Sequence, residues 1–316
     1  MLLLPCLITL STTNKSEARV QTRATWLPVS VPAATTAAMQ DLLSRLASNG
    51  VNRVYVDVWN NGRAYFNSSA IAKLAGPSAL ATDRLRMALD AAVPGLEVHA
   101  WMEYGLMACY GAVTGNAFAE AAHDRGWLIG SSGGWQWLDP QKALPLLSTM
   151  VQEIDQRYSV PIQFDDHFGC PSALSACSIT NMDAAARALS SMSRRLSLSP
   201  APAAFALDHF RVDWLGWARD GLFTEFVPQL YTPSSATFGQ ELREAMSAMP
   251  PNSTNLIAGV RVDGSGDPTA WTEVSRMLDL AAASDVGVAV WYADGILNLY
   301  PHEFQERWGT AAPSTV

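Results

Sequence analysis

"EVHAWMEY", residues 97–104, is the stretch on which the fold turns. Read with a period of two, it sends His99, Trp101 and Glu103 to one side and Val98, Ala100 and Met102 to the other. The apolar side suits packing under a helix, and the polar side suits the interior of a barrel. "RVYVDVW" (53–59) splits in the same way, with Tyr55, Asp57 and Trp59 opposing Val54, Val56 and Val58. "PIQFDDH" (161–167) sets Gln163, Asp165 and His167 against Ile162 and Phe164. "FVPQLYT" (226–232) offers Gln229 and Tyr231, and "LIAGVRVD" (256–263) offers Arg261 and Asp263. "ATWLPVS" (24–30), "LSLSP" (196–200) and "GVAVWYA" (287–293) bring the expected strands to eight.

Helical patterns lie between them. "TTAAMQDLLSRLASNG" (35–50) opens on a threonine cap and stops at Gly50. Others are "DRLRMALDAA", "ALPLLSTMVQEIDQRY", "MDAAARALSSMSRRL", "ELREAMSAM" and "TAWTEVSRMLDLAAAS". The alternation predicts an α/β fold, a single-domain (β/α)8 TIM barrel over 19–316. No G-x-G-x-x-G follows the first strand, which argues against a dinucleotide-binding fold. The Gly-, Ser- and Trp-rich segment 105–140 reads as a long loop on the catalytic face.

The chain has 316 residues, 49% hydrophobic and 16% charged, enough to build a large core. Its net charge of −8 and its lack of any basic cluster beyond Arg194-Arg195 exclude a nucleic-acid partner. No apolar run reaches membrane-spanning length. "MLLLPCLITLSTTNKSEA" (1–18) resembles the apolar part of a secretory signal, with Ser16-Glu17-Ala18 as the cleavage point, although the usual basic segment is missing. A secreted or periplasmic location is therefore expected. Cys170 and Cys177 enclose a short loop and could pair in an oxidising compartment; Cys109 would stay free. No cysteine or histidine spacing suggests zinc, and no cofactor is expected.

The segments "WLPVSVP", "VNRVYVDVWNNGRAYFNSSA", "GLEVHAWMEYGLM", "IQFDDHFGCPS", "SLSPAP", "VDWLGWARDGLFTEFVPQLY" and "VAVWYAD" resemble, in order, the glycosyl-hydrolase-like 10 family. The resemblance covers roughly residues 22–300. It implies a glycoside-hydrolase-type barrel, distantly similar to the barrel of exopolysaccharide hydrolases that act on partly deacetylated poly-N-acetylglucosamine. The chain departs from its relatives in a shorter loop after the third strand. It also ends its eighth strand "WYAD", where Asp294 can fill the acidic position many relatives carry.

The polar side chains crowd toward the C-terminal strand ends, the face where barrel enzymes keep their active sites. Glycoside cleavage needs an acid to protonate the leaving oxygen and a carboxylate as base or nucleophile. Asp165 is the expected inner carboxylate, with the acid supplied by Asp166, if the strand bends, or by Glu103. Neighbours on a strand project to opposite sides, so Asp165 and Asp166 are not expected to form the flanking pair alone. With an N-acetylated sugar, the substrate's acetamido group could be the nucleophile, Asp165 and Asp166 orienting it and protonating the bond. Trp59, Trp101 and Trp291 are candidate stacking platforms. Asn60, His167, Gln229, Tyr231, Asp263 and Asp294 complete the expected substrate-binding set. Asp57 and His99, deeper in their strands, read as structural hydrogen-bonding groups, and Trp26 reads as core. The expected activity is hydrolysis of a bacterial polysaccharide. Two rivals stand beside it: a non-catalytic carbohydrate-binding barrel, and a metal-dependent hydrolase or deacetylase on Asp165-Asp166-His167, which lacks the usual H-x-x-x-H pair.

Overall fold

The computed structural model describes residues 21–91, 93–250, 255–264 and 266–309. The expected leader over 1–18, with Cys6, lies outside the described residues. Eight parallel strands close into a barrel: β1 (Arg23–Leu27), β2 (Arg53–Asp57), β3 (Glu97–Met102), β4 (Ile162–Asp165), β5 (Leu196–Ser199), β6 (Glu225–Phe226), β7 (Asn255–Arg261) and β8 (Gly287–Trp291). Each pairs with its neighbour in the chain, and β8 pairs with β1. Helices surround this ring, so the (β/α)8 expectation holds. No helix among the described residues is long and apolar enough to cross a membrane.

Strand alternation divides the core in two. Ala24, Trp26, Tyr55, Trp101, Val227, Ile257 and Ala289 pack inside the ring. Val54, Val56, Val98, Ile162, Phe164 and their like pack outside it, beneath the helices. The helix Thr36–Ser48 shows how the sequence sets element ends: the Thr35 hydroxyl accepts from Ala38 N. Gly50 then turns the chain at φ +80, against the Trp308 backbone, where a Cβ would stand 2.1 Å from its carbonyl oxygen.

The base of the barrel is an ionic lattice. Arg53 meets Glu97 at 2.7 Å and Glu225 at 2.6 Å, and the Tyr55 hydroxyl donates to Glu225 at 3.1 Å. His99, 3.5 Å from Glu97, belongs to this lattice, and burial holds its imidazole below the usual range.

Three expectations about elements need correction. β2 ends at Asp57, and residues 59–60 start an antiparallel hairpin with 63–64, turned by Asn61 and Gly62 at positive φ. Trp59 therefore leaves the barrel interior and packs edge-on against Phe118, at 4.7 Å between ring centres. β6 holds only two residues, because Pro228 has no N–H to give to a ladder; a single bridge, Gln229 to Gly259, continues the pairing. The segment 105–140 is not irregular. It contains the helix Ala117–Asp124 and a three-stranded antiparallel sheet of Met107–Tyr110, Leu128–Ser132 and Trp135–Leu138. Gly133 and Gly134, both at positive φ, make the two-residue hairpin turn.

Candidate active site

Asp165 is the last residue of β4 and is 4% exposed. Phe168 N donates to the Asp165 carbonyl at 2.9 Å, so the chain turns immediately after the strand. Because Asp166 lies in that turn, its side chain is freed from strand alternation. One polar atom from each of Asp165, Asp166 and His167 falls within 4.8 Å of the others. The expectation that the two aspartates diverge is therefore corrected: the bend puts them on one side.

The turn is held from β3. His167 Nδ1 lies 3.0 Å from the Glu103 carbonyl oxygen, which can only accept, so Nδ1 carries the proton. The same nitrogen is 3.6 Å from both Asp165 and Asp166. Leu106 N donates to the His167 carbonyl at 2.9 Å. Between them Gly105, at φ +44, sits so close that a Cβ would lie 2.6 Å from the His167 backbone. Tyr104, Trp135 and Trp137 wall the imidazole, at 6.0–6.5 Å between ring centres. On the far side of the turn Cys170 and Cys177 are disulfide-bonded, and Cys170 N donates to the Phe210 carbonyl. Cys109 is free and buried.

Gln229 brings the β6 side to Asp165. Its Nε2 donates to Asp165 Oδ1 at 2.7 Å and to the Ser199 carbonyl at 3.2 Å. Gln229 and Tyr231 also line a groove of about 900 Å³ whose walls include Pro202, Phe205, Trp214 and Leu230.

A second carboxyl pair stands beside the first. Asn60 Nδ2 donates to Asp57 Oδ2 at 2.9 Å and to Glu103 Oε2 at 2.5 Å. Burial lifts Glu103 well above the ordinary carboxyl range; the charge of Asp57 and a hydrogen bond between the two acids add to it. Burial raises Asp57 as well, so the two acids that share Asn60 both hold a proton more tightly than usual, a coupling that sequence spacing alone did not reveal. Asp165 is pushed well above its usual range too, by burial first and then by the charge of Asp166.

Of the expected platforms, Trp101 is fully buried in the inner cluster and Trp59 is 1% exposed, so neither can stack on a ligand. Trp291 remains half-buried and rests on Trp26 and Trp101, at 5.9 and 5.8 Å between ring centres. Trp26 is core, as expected. Asp263 and Asp294 stand on the β7–β8 side, where burial first and then the charges of Asp294 and Asp263 raise the pKa of the Tyr292 hydroxyl; Asp294 accepts from Asn298. Asp165, Asp166 and His167 also have the spacing of three metal ligands. Ligation through Nδ1 would require breaking the His167–Glu103 bond, because that nitrogen carries the proton.

A closed barrel with buried carboxyls gathered at its C-terminal mouth defines a glycoside-hydrolase-like barrel. Residues 21–185 match the family Glycosyl hydrolase-like 10, to which the chain belongs. No curated protein matches the sequence. Among solved structures, the chain is similar to the endo-1,4-β-mannanase from Rhizomucor miehei (9% identity, 91% of this chain and 95% of that one, TM-score 0.58). It is also similar to the Streptomyces plicatus β-hexosaminidase (14%, 93% and 64%, TM-score 0.56). A family 18 chitinase from Crocus vernus is a third (14%, 91% and 100%, TM-score 0.53). At these identities the likeness is one of fold.

Proposed function

We propose that the protein is a secreted glycoside hydrolase that cleaves a bacterial polysaccharide containing N-acetylated amino sugars. The observation that carries this reading is the closeness of Asp165 and Asp166, with polar atoms within 4.8 Å. Inverting pairs stand about 6.5–9.5 Å apart and nucleophile–acid pairs about 5–5.5 Å. Two carboxyls on neighbouring residues of one turn, rather than on separate strands facing each other across the cleft, suit a reaction in which the substrate supplies the nucleophile. Asp166, at the rim, gives its proton to the glycosidic oxygen as the C1–O bond breaks. The acetamido carbonyl oxygen closes onto C1, while Asp165 holds and accepts the amide proton, leaving a neutral oxazoline. Water, deprotonated by Asp166, then attacks C1 and reopens the ring as Asp165 returns the proton to nitrogen. His167 and Gln229 keep Asp165 in place, and Glu103, held by Asn60, offers a further group to the sugar hydroxyls. The hexosaminidase named above was solved with GlcNAc as product, which accords with this substrate class, and the Cys170–Cys177 bridge accords with export.

The test is turnover of bacterial exopolysaccharides and peptidoglycan fragments by wild type, Asp165→Asn and Asp166→Asn. Loss of a positioned proton-transfer group lowers kcat by about 10²–10⁴-fold, with unchanged circular dichroism. Equal hydrolysis of substrates carrying a 2-hydroxyl in place of the acetamido group would sink the substrate-assisted scheme. Binding without turnover of any of them would leave a carbohydrate-binding barrel.

A further inference from the structure

A second cavity, of about 500 Å³, opens at the other end of the barrel, where β2, β3, β5 and β6 begin. Two of the side chains that line it are unusual. His99 and Ser197 are 6% and 3% exposed, yet neither His99 Nδ1 nor Ser197 Oγ meets a hydrogen-bond partner. Both stand on the inner layer of the ring: His99 is the register partner of Tyr55, and Ser197 is that of Gln163 and Glu225. The tautomer of His99 follows from its other nitrogen. Nε2 lies 3.5 Å from the Glu97 carboxylate, which only accepts, so Nε2 carries the proton and Nδ1 is a bare acceptor. Buried polar atoms are almost always paired, so an acceptor and a hydroxyl left open beside one cavity point to a ligand.

The rest of the lining says what kind. Its charged groups are already matched, Arg53 with Glu97 and Glu225, and Arg195 with Asp155 at 2.8 Å. A charged ligand would therefore bring a charge with no free counterpart. Leu89, Val98, Val160 and Pro161 supply hydrocarbon walls. We propose that this cavity binds a neutral pyranose sugar, one hydroxyl of which donates to His99 Nδ1 and accepts from the Ser197 hydroxyl. A hydroxyl can do both at once, whereas a carboxylate or phosphate has no proton for the imidazole. A pyranose also carries a flat C–H face, which suits the hydrocarbon walls, beside a rim of hydroxyls. The buried cluster of Trp26, Tyr55 and Trp101 fills the ring between this cavity and the aspartates. Binding here is thus non-catalytic and independent of the reaction proposed for the mouth.

The test titrates the full chain with glucose, galactose, mannose and N-acetylglucosamine while following the nitrogen-15 resonances of its five histidines. A His99→Gln variant assigns the signal of interest. One sugar should move the His99 Nδ1 resonance saturably, and should do so equally in Asp166→Asn, which alters only the mouth. Ser197→Ala should weaken that binding about five-fold, as for one neutral hydrogen bond. Leu89→Trp, with its larger ring in the apolar wall, should abolish it; circular dichroism should be unchanged in both. Glucosamine and glucuronate should bind at least ten-fold more weakly than the neutral sugar. The inference falls if no sugar moves the His99 resonance, which would leave a cavity for water only. It falls equally if only His167 responds, if Ser197→Ala binds as wild type does, or if a charged sugar binds as tightly. None of these results touches the function proposed for Asp165 and Asp166.

Discussion

The two ends of the barrel handle their acids in opposite ways. At the base, Glu97 and Glu225 each meet Arg53 within 2.7 Å, and Tyr55 closes the lattice. At the mouth, Asp57, Glu103, Asp165 and Asp166 meet amides, an imidazole and each other. The consequence shows in their proton affinities. Glu97 is held down to about 2, by its hydrogen bond with His99 before the nearby Arg53, whereas Glu103 and Asp165 are driven upward by burial and by neighbouring acids. Charges bonded directly to a cation give rigidity, and acids crowded against one another without such a bond stay poised to exchange protons. The base serves the fold and the mouth serves chemistry.

Breaking the base should have the largest effect on stability. Arg53→Met strands Glu225, 7% exposed, without its cation. Unfolding in denaturant should show a loss of about 3–5 kcal/mol, while activity per folded molecule is kept. Opening the Cys170–Cys177 loop comes next. The cysteines are seven positions apart, and the double Ser variant should lose about 2–3 kcal/mol on the loop-entropy account, read as a lower Tm. Gly105→Ala costs about 2 kcal/mol, since its φ of +44 and the 2.6 Å approach to His167 leave no room for a methyl group. Because the displaced backbone carries His167 and the aspartates, turnover should fall more than this stability loss explains.

The smallest effect sharpens the contrast at the mouth. Asp165 ionises at a higher pH when folded than when unfolded. Its charge therefore destabilises the native state above the folded value and has no effect below the unfolded one, about 3.9. Asp165→Asn should be more stable than wild type at alkaline pH, by about 1–3 kcal/mol as for relief of one buried charge. That gain should shrink as pH falls through the folded pKa. A gain independent of pH would mean that the mouth acids are not held against their charge.

Much of this was legible in residue order. Val54, Val56 and Val58 against Tyr55 and Asp57 have a period of two, and any strand with helices on one side must obey it. The same rule failed one step past the strand ends. Trp59 and Asp166 follow β2 and β4 by only one or two residues, yet a hairpin and a turn re-aim them. The turn glycines Gly133-Gly134 were visible signals of a hairpin, and the length of the segment around them hid it. Gly105 gave no such signal, because its need for a missing side chain arises from His167, 62 positions later in the chain.

The amino-acid order by itself determined the closed ring, the two-faced strands and the acidic, aromatic character of the C-terminal mouth, since these follow from short-range alternation and from burial. Only the tertiary structure decided which acids meet: that Asp166 turns toward Asp165, that Asp57 and Glu103 share Asn60, and that the buried Tyr231 hydroxyl is left without a partner. Those outcomes depend on where a turn begins and on contacts between distant strands, and local periodicity carries no information about either.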